Sequence, residues 1–455
     1  MIDLETRLFP IFYLTTKYRF KYYSIKQIQK YQKRKAIGIA KYAYKHSGFY
    51  RDLYENKNIE DVWNLPTANK AKMMADIGAF NTLKFSTNDL TNFCLKVEKD
   101  RDFTSRFRGI NVAMSSGTSG NKGIIITTPR EEGYLRAAFF SRFSFPDKEK
   151  LNLAFILRVS TPAFDVKLFG HKLAYISQLD SIENIVKKLN KINPNVISAS
   201  PSMFQILAKE INSNNLKVKP QKIVCYAEVL SPDVEKGLLE SFNCPVHQIY
   251  QCSEGSIAIS CKYGGLHLNE DLVAVQLYKE DGTEAQPDEP CQKMIITDLH
   301  KTSQPIIRYE LNDLVTISSK KCNCGSKFRL IKSIQGRRDD MLWSKRVDNG
   351  NWQFILPDYI RRAIVASSEN VTDYQVVQFS PKNLEARILV NDDSDEQIEA
   401  DKVKLAIEGV FEKLDCPKPT VKVIFMAAEL NINSKKLVRV IRKFNVEDYK
   451  KKGER

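Results

Sequence analysis

Nine consecutive residues, Ser115-Ser116-Gly117-Thr118-Ser119-Gly120-Asn121-Lys122-Gly123, combine hydroxyls, glycines and one lysine. Glycine lets a backbone approach a ligand closely and adopt positive φ. Hydroxyls, backbone N–H groups and the Lys122 ammonium are all donors suited to phosphate oxygens. Short apolar runs at 110–114 and 124–126 flank the segment and predict a loop between two strands. A polar β-turn explains any one of these residues but not the whole run. A Walker loop is a poor match, because there Gly-Lys-Ser/Thr opens a helix. Here Lys122 is followed by Gly123 and a β-branched strand pattern.

A second constellation consists of Cys261, His267, Cys322 and Cys324. Three thiolates and one imidazole can close a tetrahedral structural zinc site. The Cys322-x-Cys324 spacing is tighter than an ordinary zinc knuckle, so folding must bring the two halves together. The chain has nine cysteines, an odd count over 455 residues, which does not suggest a disulfide framework. They are read as reduced thiols.

Length predicts two or three domains. The content of 43% hydrophobic and 27% charged residues is that of a soluble globular protein. No apolar run approaches the ~18 residues that span a bilayer, and no signal pattern opens the chain, so a cytoplasmic protein is expected. The net charge is +16, and residues 17–51 hold eleven Lys and Arg with no acidic residue. A solvated helical face is the favoured reading of that run, over an anionic-membrane or nucleic-acid surface. A basic surface also suits a polyphosphate cosubstrate or an acidic carrier protein.

The elements that must position these groups follow from periodicity. Residues 1–60 read as a helical lead-in. From about 108, strands at 124–128, 152–156, 195–198, 222–226 and 246–250 alternate with helices at 131–142, 181–192, 201–212 and 233–242. That alternation predicts α/β layers with substantial parallel sheet. A strand-rich subregion spans about 266–335. Beyond Gly336-Arg337-Arg338-Asp339-Asp340, strands at 374–379, 385–390 and 420–425 and helices at 358–367 and 394–414 predict a small α+β domain. The boundary is placed between 336 and 337.

The glycine-rich loop resembles the signature of the adenylate-forming superfamily of acyl-CoA synthetases and adenylation domains, with Asn121 where that pattern carries proline. The resemblance implies an α/β fold with a large multi-layer N-terminal domain of mixed sheets and a small mobile C-terminal domain. Its cosubstrates and cofactors would be ATP, Mg²⁺ and CoA. Ser115, Ser116, Gly117, Thr118, Ser119, Gly120 and Lys122 would cradle phosphate. Tyr250-Gln251-Cys252-Ser253-Glu254 is similar to the superfamily's Tyr-Gly-x-Thr-Glu segment, which implies Tyr250 against adenine, Ser253 as the surviving hydroxyl and Glu254 on Mg²⁺. Cys225-Tyr226-Ala227-Glu228 resembles the adenine-contact segment. Asp313, in Arg308-Tyr309-Glu310-Leu311-Asn312-Asp313, would accept hydrogen bonds from the ribose hydroxyls. Arg337 would reach phosphate and Asp339 would be the hinge. Alignment on Arg439-Val440 selects Lys436 as the adenylation lysine, with Lys435 as the alternative.

The segment Gly265-Leu266-His267-Leu268-Asn269-Glu270-Asp271 and the Cys-x-Cys-Gly knuckle narrow the resemblance to the phenylacetate-CoA ligase branch, which also holds deazaflavin-cofactor adenylating synthetases. So do Tyr44–Tyr50 with Tyr54, and Leu65-Pro66 with Lys70. That branch sometimes carries zinc, which strengthens the Zn²⁺ reading. The implied activity converts a small carboxylate to an acyl-adenylate, then to a thioester of CoA or a carrier protein. Amide formation and adenylylation of a cofactor are the alternatives within the class. A zinc-containing nucleic-acid-binding module is the alternative outside it, with nucleic acid disfavoured as a partner and a homodimer allowed. The Phe139, Phe140, Phe143 and Phe145 cluster reads as core before it reads as an acyl pocket.

Overall fold

The computed structural model describes residues 4–100, 102, 104–114, 123–142, 150–157, 171–430 and 437–452. Two compact units divide the chain, Met1–Leu311 with Thr316–Ser333, and Asn312–Val315 with Ile334–Arg455.

The first unit is built on a seven-stranded sheet. Its order is Lys172–Ser177, Asn152–Leu157, Val196–Ala199, Lys222–Tyr226, Val246–Cys252, Gly255–Ser260 and Leu266–Leu268. The first five strands are parallel and the last two antiparallel. Alternate residues point to opposite faces, and the sequence uses both. Ala154, Ile156, Ile197, Ile223 and Cys225 pack with Ile185, Leu189, Phe204, Leu207 and Leu238 from helices Ile182–Ile192, Pro201–Asn212 and Pro232–Phe242. The intervening Leu153, Phe155, Val196 and Val224 pack on the other side with Phe140, and with Phe9 and Tyr13 of the N-terminal helix. Phe140 is therefore core, whereas Phe143 and Phe145 lie outside the described residues.

Helix ends follow local chemistry. Ser24 and Gln27 form a capping box that starts Ile25–His46. Ser200 caps a helix whose first residue is Pro201, and left-handed Asn193 and Asn243 end two others. The edge strand Lys172–Ser177 was not expected. It buries only Ile176, so its alternation is weak.

The motif Asn269-Glu270-Asp271 is structural. Asn269 Nδ2 donates to Ser256 O at 3.0 Å and Arg329 Nε donates to Glu270 Oε1 at 2.8 Å. Buried Asp271 accepts from Arg19 Nε at 3.1 Å and from Arg142. Part of the basic N-terminal run is thus consumed in folding.

In the second unit, strands Thr420–Phe425, Asn383–Val390, Val371–Ser380 and Val440–Arg442 form a mixed sheet. Helices Pro357–Ser367 and Glu396–Glu412 cover it through Ile360, Ile364, Val403, Ile407 and Phe411. The division between units falls at Ser333/Ile334 rather than at 336/337, and Asn312–Val315 joins the second unit. The reason is local bonding: Arg338 N donates to Asn312 O at 2.6 Å, and Leu314 packs with Met341 and Leu356.

Replacing Asp271 with Ala leaves the buried Arg142 guanidinium, and the half-buried Arg19 beside it, without their carboxylate, which costs about 3–5 kcal/mol. Urea denaturation should show a much lower midpoint, while Lys236→Ala on an exposed helical pair should leave it unchanged.

Candidate functional site

The strands flanking the glycine-rich segment pair as expected. Asn111–Met114 runs antiparallel to Ile124–Thr127, with Met114 opposite Ile124. Ser115, Ser116, Gly117, Thr118, Ser119, Gly120 and Lys122 lie outside the described residues, so the pairing fixes only the two ends of their loop. Helix Pro129–Arg142 follows and carries Glu131, which the sequence reading missed.

Glu131 is buried, yet its carboxylate collects donors. Thr302 N (2.7 Å), Ser303 N (2.9 Å), Ser303 Oγ (2.6 Å) and Thr128 N (2.8 Å) all donate to it. Burial alone would raise its pKa, but these bonds, Ser303's first, hold it below the usual glutamate value. Gln304 ties the same segment to the strand after the loop: Ile126 N donates to Gln304 Oε1 at 3.0 Å, and Gln304 Nε2 donates to Ile124 O at 2.8 Å.

Lys301 lies within this segment, buried, its Nζ donating to Gln304 Oε1 at 3.0 Å. Burial pushes its ammonium below the ordinary lysine range, and Glu131, Asp298 and Glu254 work in the opposite direction. Asp298 is raised to about 6 by burial, although the backbone N–H groups of His300 and Lys301 donate to it. One loop therefore links the strand leaving the glycine-rich segment to the neighbourhood of Glu254. A signal existed in the sequence: a polar run, Lys301-Thr302-Ser303-Gln304, sits between an apolar strand and Pro305.

Ser253 and Glu254 form the two-residue turn between Val246–Cys252 and Gly255–Ser260. With Gln251 in the usual glycine's place, a register shift between Tyr250 and Gln251 accompanies the tight turn. Tyr309 Oη donates to Glu254 Oε1 at 3.1 Å and orients that carboxylate. Tyr250 Oη lies 3.7 Å from Met294 Sδ. Ala227 has φ +68°, a left-handed backbone unusual for a residue with a Cβ. Next to it, Glu228 accepts from Ser202 N at 3.1 Å and from Ser202 Oγ at 2.9 Å, at the start of helix Pro201–Asn212. Arg308 is buried with φ +47°; it donates to Leu65 O at 3.0 Å, to Gln276 Oε1 at 2.7 Å and to Trp63 O. Tyr50 Oη donates to Pro305 O at 2.9 Å. The N-terminal tyrosine and Leu65-Pro66 segments thus hold the strand that carries Tyr309.

In the second unit Arg337 Nε lies 3.5 Å from Asp313 Oδ1, and Asn312 Nδ2 donates to Asp339 Oδ2 at 2.8 Å. The three residues expected at ribose, phosphate and hinge are neighbours there. Asp340 beside them is raised to about 6, by burial first. Lys435 and Lys436 lie outside the described residues, but both flanks are held. Leu430 bridges Leu437, and Gln375 Nε2 donates to Glu429 O and Val438 O, each at 2.9 Å. Arg439 stacks on Tyr374 with its guanidinium 4.9 Å from the ring centre. Sequence reading missed Gln375, a buried glutamine within a strand.

Cys261, His267, Cys322 and Cys324 come together, their donor atoms within 4.8 Å of one another. Cys261 Sγ is 3.5 Å from Cys322 Sγ, and Cys324 Sγ is 3.3 Å from His267 Nε2. A tetrahedral ion with sulfur bonds of about 2.3 Å sets sulfur–sulfur edges near 3.8 Å. His267 Nδ1 lies 2.8 Å from Phe328 O; donation there leaves Nε2 as the ligand atom. Burial pushes the Cys261 thiol up to about 12, so a metal must displace its proton. Gly265 is required beside it, since a Cβ would sit 2.9 Å from Cys322 Sγ. The donor set and geometry fit a metal ion.

The fold, a large α/β unit followed in sequence by a smaller α+β unit, is shared with solved CoA ligases. The chain matches 2-hydroxyisobutyryl-CoA ligase in its postadenylation state with a TM-score of 0.70 and 14% identity, over 96% of this chain and 94% of that one. In sequence it is 28% identical to phenylacetate-coenzyme A ligase of Thermus thermophilus, over 43% of this chain and 44% of that protein. It is 26% identical to protein CapK of Staphylococcus aureus, over 52% and 51% respectively. The chain spans about half the length of the curated relatives it matches. No protein-family profile matches it. The resemblance to the phenylacetate-CoA ligase-like branch drawn from the motifs agrees with these relatives.

Gly265→Ala should weaken metal ligation without unfolding the unit. Titration with Co²⁺, followed by thiolate-to-metal absorption, should show an affinity at least ~10-fold below that of the unaltered protein. Equal affinity would mean that the four residues do not bind metal as a set.

Proposed function

We propose that this protein is an ATP-dependent adenylate-forming ligase that activates a small carboxylate and passes the acyl group to a thiol, of CoA or of an acidic carrier protein. The observation that carries the reading is the 298–304 loop, which is bonded to the strand leaving the glycine-rich segment and sets Lys301 within electrostatic reach of Glu254. Ser115–Gly120 and Lys122 take the phosphates, with Thr118 and Lys122 neutralising charge as pyrophosphate departs. Tyr250, Ser253, Ala227 and Glu228 border the nucleoside, Asp313 binds the ribose, and Arg337 reaches the nucleotide phosphate. Magnesium, when bound at Glu254, supplies positive charge to the triphosphate oxygens.

The substrate carboxylate oxygen attacks the α-phosphorus, the bond to pyrophosphate breaks, and Lys436 steadies the charge that moves between them. The smaller unit then turns about Asp339, and a thiolate attacks the acyl carbon and expels AMP. Cys261, His267, Cys322 and Cys324 would hold zinc in a structural role, since they would supply all four ligands of a tetrahedral ion. The reaction calls for no Ser-His-Asp nucleophile, and the five histidines show no triad spacing.

ATP–pyrophosphate exchange over aryl, aliphatic and amino acids tests the reading. At least one acid should support exchange, and Lys122→Ala and Glu254→Ala should each lower it by ~10²-fold or more. Full activity in both variants would remove the nucleotide assignment. No exchange with any acid, together with salt-sensitive RNA binding, would favour a nucleic-acid-binding module instead.

A further inference from the structure

The N-terminal helix Leu4–Tyr22 is amphipathic in an unusual sense, because both of its sides carry apolar residues. One side is used by the fold. Phe9 packs on Phe140 at 6.2 Å between ring centres, Phe12 on Tyr134 at 5.0 Å, and Phe20 on His267 at 5.4 Å and Phe328 at 5.3 Å. Thr16 is fully buried and Arg19 is bonded to Asp271. Ser326 Oγ donates to Phe20 O at 2.7 Å and pins the end of the helix. At 3.6 residues per turn, these positions define one stripe, and the opposite stripe is Ile11, Leu14, Tyr18 and Tyr22, spaced 3, 4 and 4.

That second stripe is open. Ile11 is 56% exposed, Leu14 63%, Tyr18 58% and Tyr22 59%, and Ile25 at the start of the next helix is 59% exposed. Lys17, Lys21 and Lys26 are exposed beside it. Lys21 Nζ lies 5.0 Å from the centre of the Tyr22 ring. The next helix adds exposed Lys30, Lys33, Arg34, Lys41 and Lys45, and no acidic residue occurs between 17 and 51. A rigidly held helix that offers aliphatic residues, tyrosines and lysines together has a defined physical complement. Aliphatic chains enter the acyl boundary of a bilayer, tyrosine lies at headgroup level, and lysine pairs with anionic headgroups. Nucleic acid would use the lysines and rings but not Ile11, Leu14 and Ile25.

We propose that this face docks the protein on an anionic lipid surface, as a peripheral attachment and not a span. No helix among the described residues is long and apolar enough to cross a membrane. The proposal stands independently of the ligase reading, because none of its residues is assigned to the nucleotide or metal sites.

Co-sedimentation of the full chain with phosphatidylglycerol/phosphatidylcholine vesicles tests it. Binding should require phosphatidylglycerol. It should fall at least ~10-fold in Leu14→Glu/Tyr22→Glu and by a similar factor in Lys17→Glu/Lys21→Glu/Lys26→Glu. Both variants should keep the urea midpoint of the unaltered protein, since the altered side chains face solvent. Absence of vesicle binding, or equal binding by all three proteins, would overturn the proposal. So would a dimer in solution that Leu14→Glu disperses without any vesicle binding, or RNA binding in place of lipid.

Discussion

A buried carboxylate surrounded by donors organises the first unit. Glu131 stands on the helix after the glycine-rich hairpin, and its oxygens accept from the backbone and hydroxyls of 302–303. A buried carboxylate without such partners would be costly or would become neutral. With them, it stays charged and fixes a polar loop against the strand at 124–127. Gln304, Lys301 and Asp298 lie in that same loop, and Glu254, which accepts from Tyr309, is close enough to act on the charge of Lys301. Removing Glu131 would leave the 302–303 donors without their acceptor, and the loop would be held to the strand only through the bonds of Ser303 and Gln304 to Ile124 and Ile126.

The motif residues thus divide into two kinds. Some, such as Glu254, Asp313 and Arg337, retain carboxylate or guanidinium groups suited to a ligand. Others that the family resemblance drew in are structural here: Asn269, Glu270 and Asp271 bind backbone and arginines, and Tyr50 and Tyr54 are buried. Arg308, with its left-handed backbone, belongs with these, as the clamp that joins Leu65 and Trp63 to the strand carrying Tyr309.

Much of the α/β framework was legible because its signals are local. Lys222–Tyr226 and Pro201–Asn212 are bounded by caps and β-branched runs that periodicity reads directly. The Cys/His cluster was legible from residue type, although its assembly needed the pairing of Leu266–Leu268 with Gly255–Ser260. What escaped the sequence depends on distant partners. Glu131 looks like an ordinary acidic first turn, and Gln375 looks like a polar position on a strand. Their roles come from contacts 171 and 54–63 residues away. The placement of Asn312–Val315 with the second unit escaped for the same reason, because it rests on bonds to Arg338 and Asp339.

In the proposed reaction a carboxylate is activated by transfer of an adenylyl group. Labelling the accepted acid with oxygen-18 in its carboxyl group, and analysing the nucleotide product by mass spectrometry, tests this directly. Attack on the α-phosphorus followed by thiolysis at the acyl carbon must leave one carboxyl oxygen on AMP. Labelled AMP with unlabelled pyrophosphate is the predicted result; unlabelled AMP, or ADP with label in inorganic phosphate, would contradict the account.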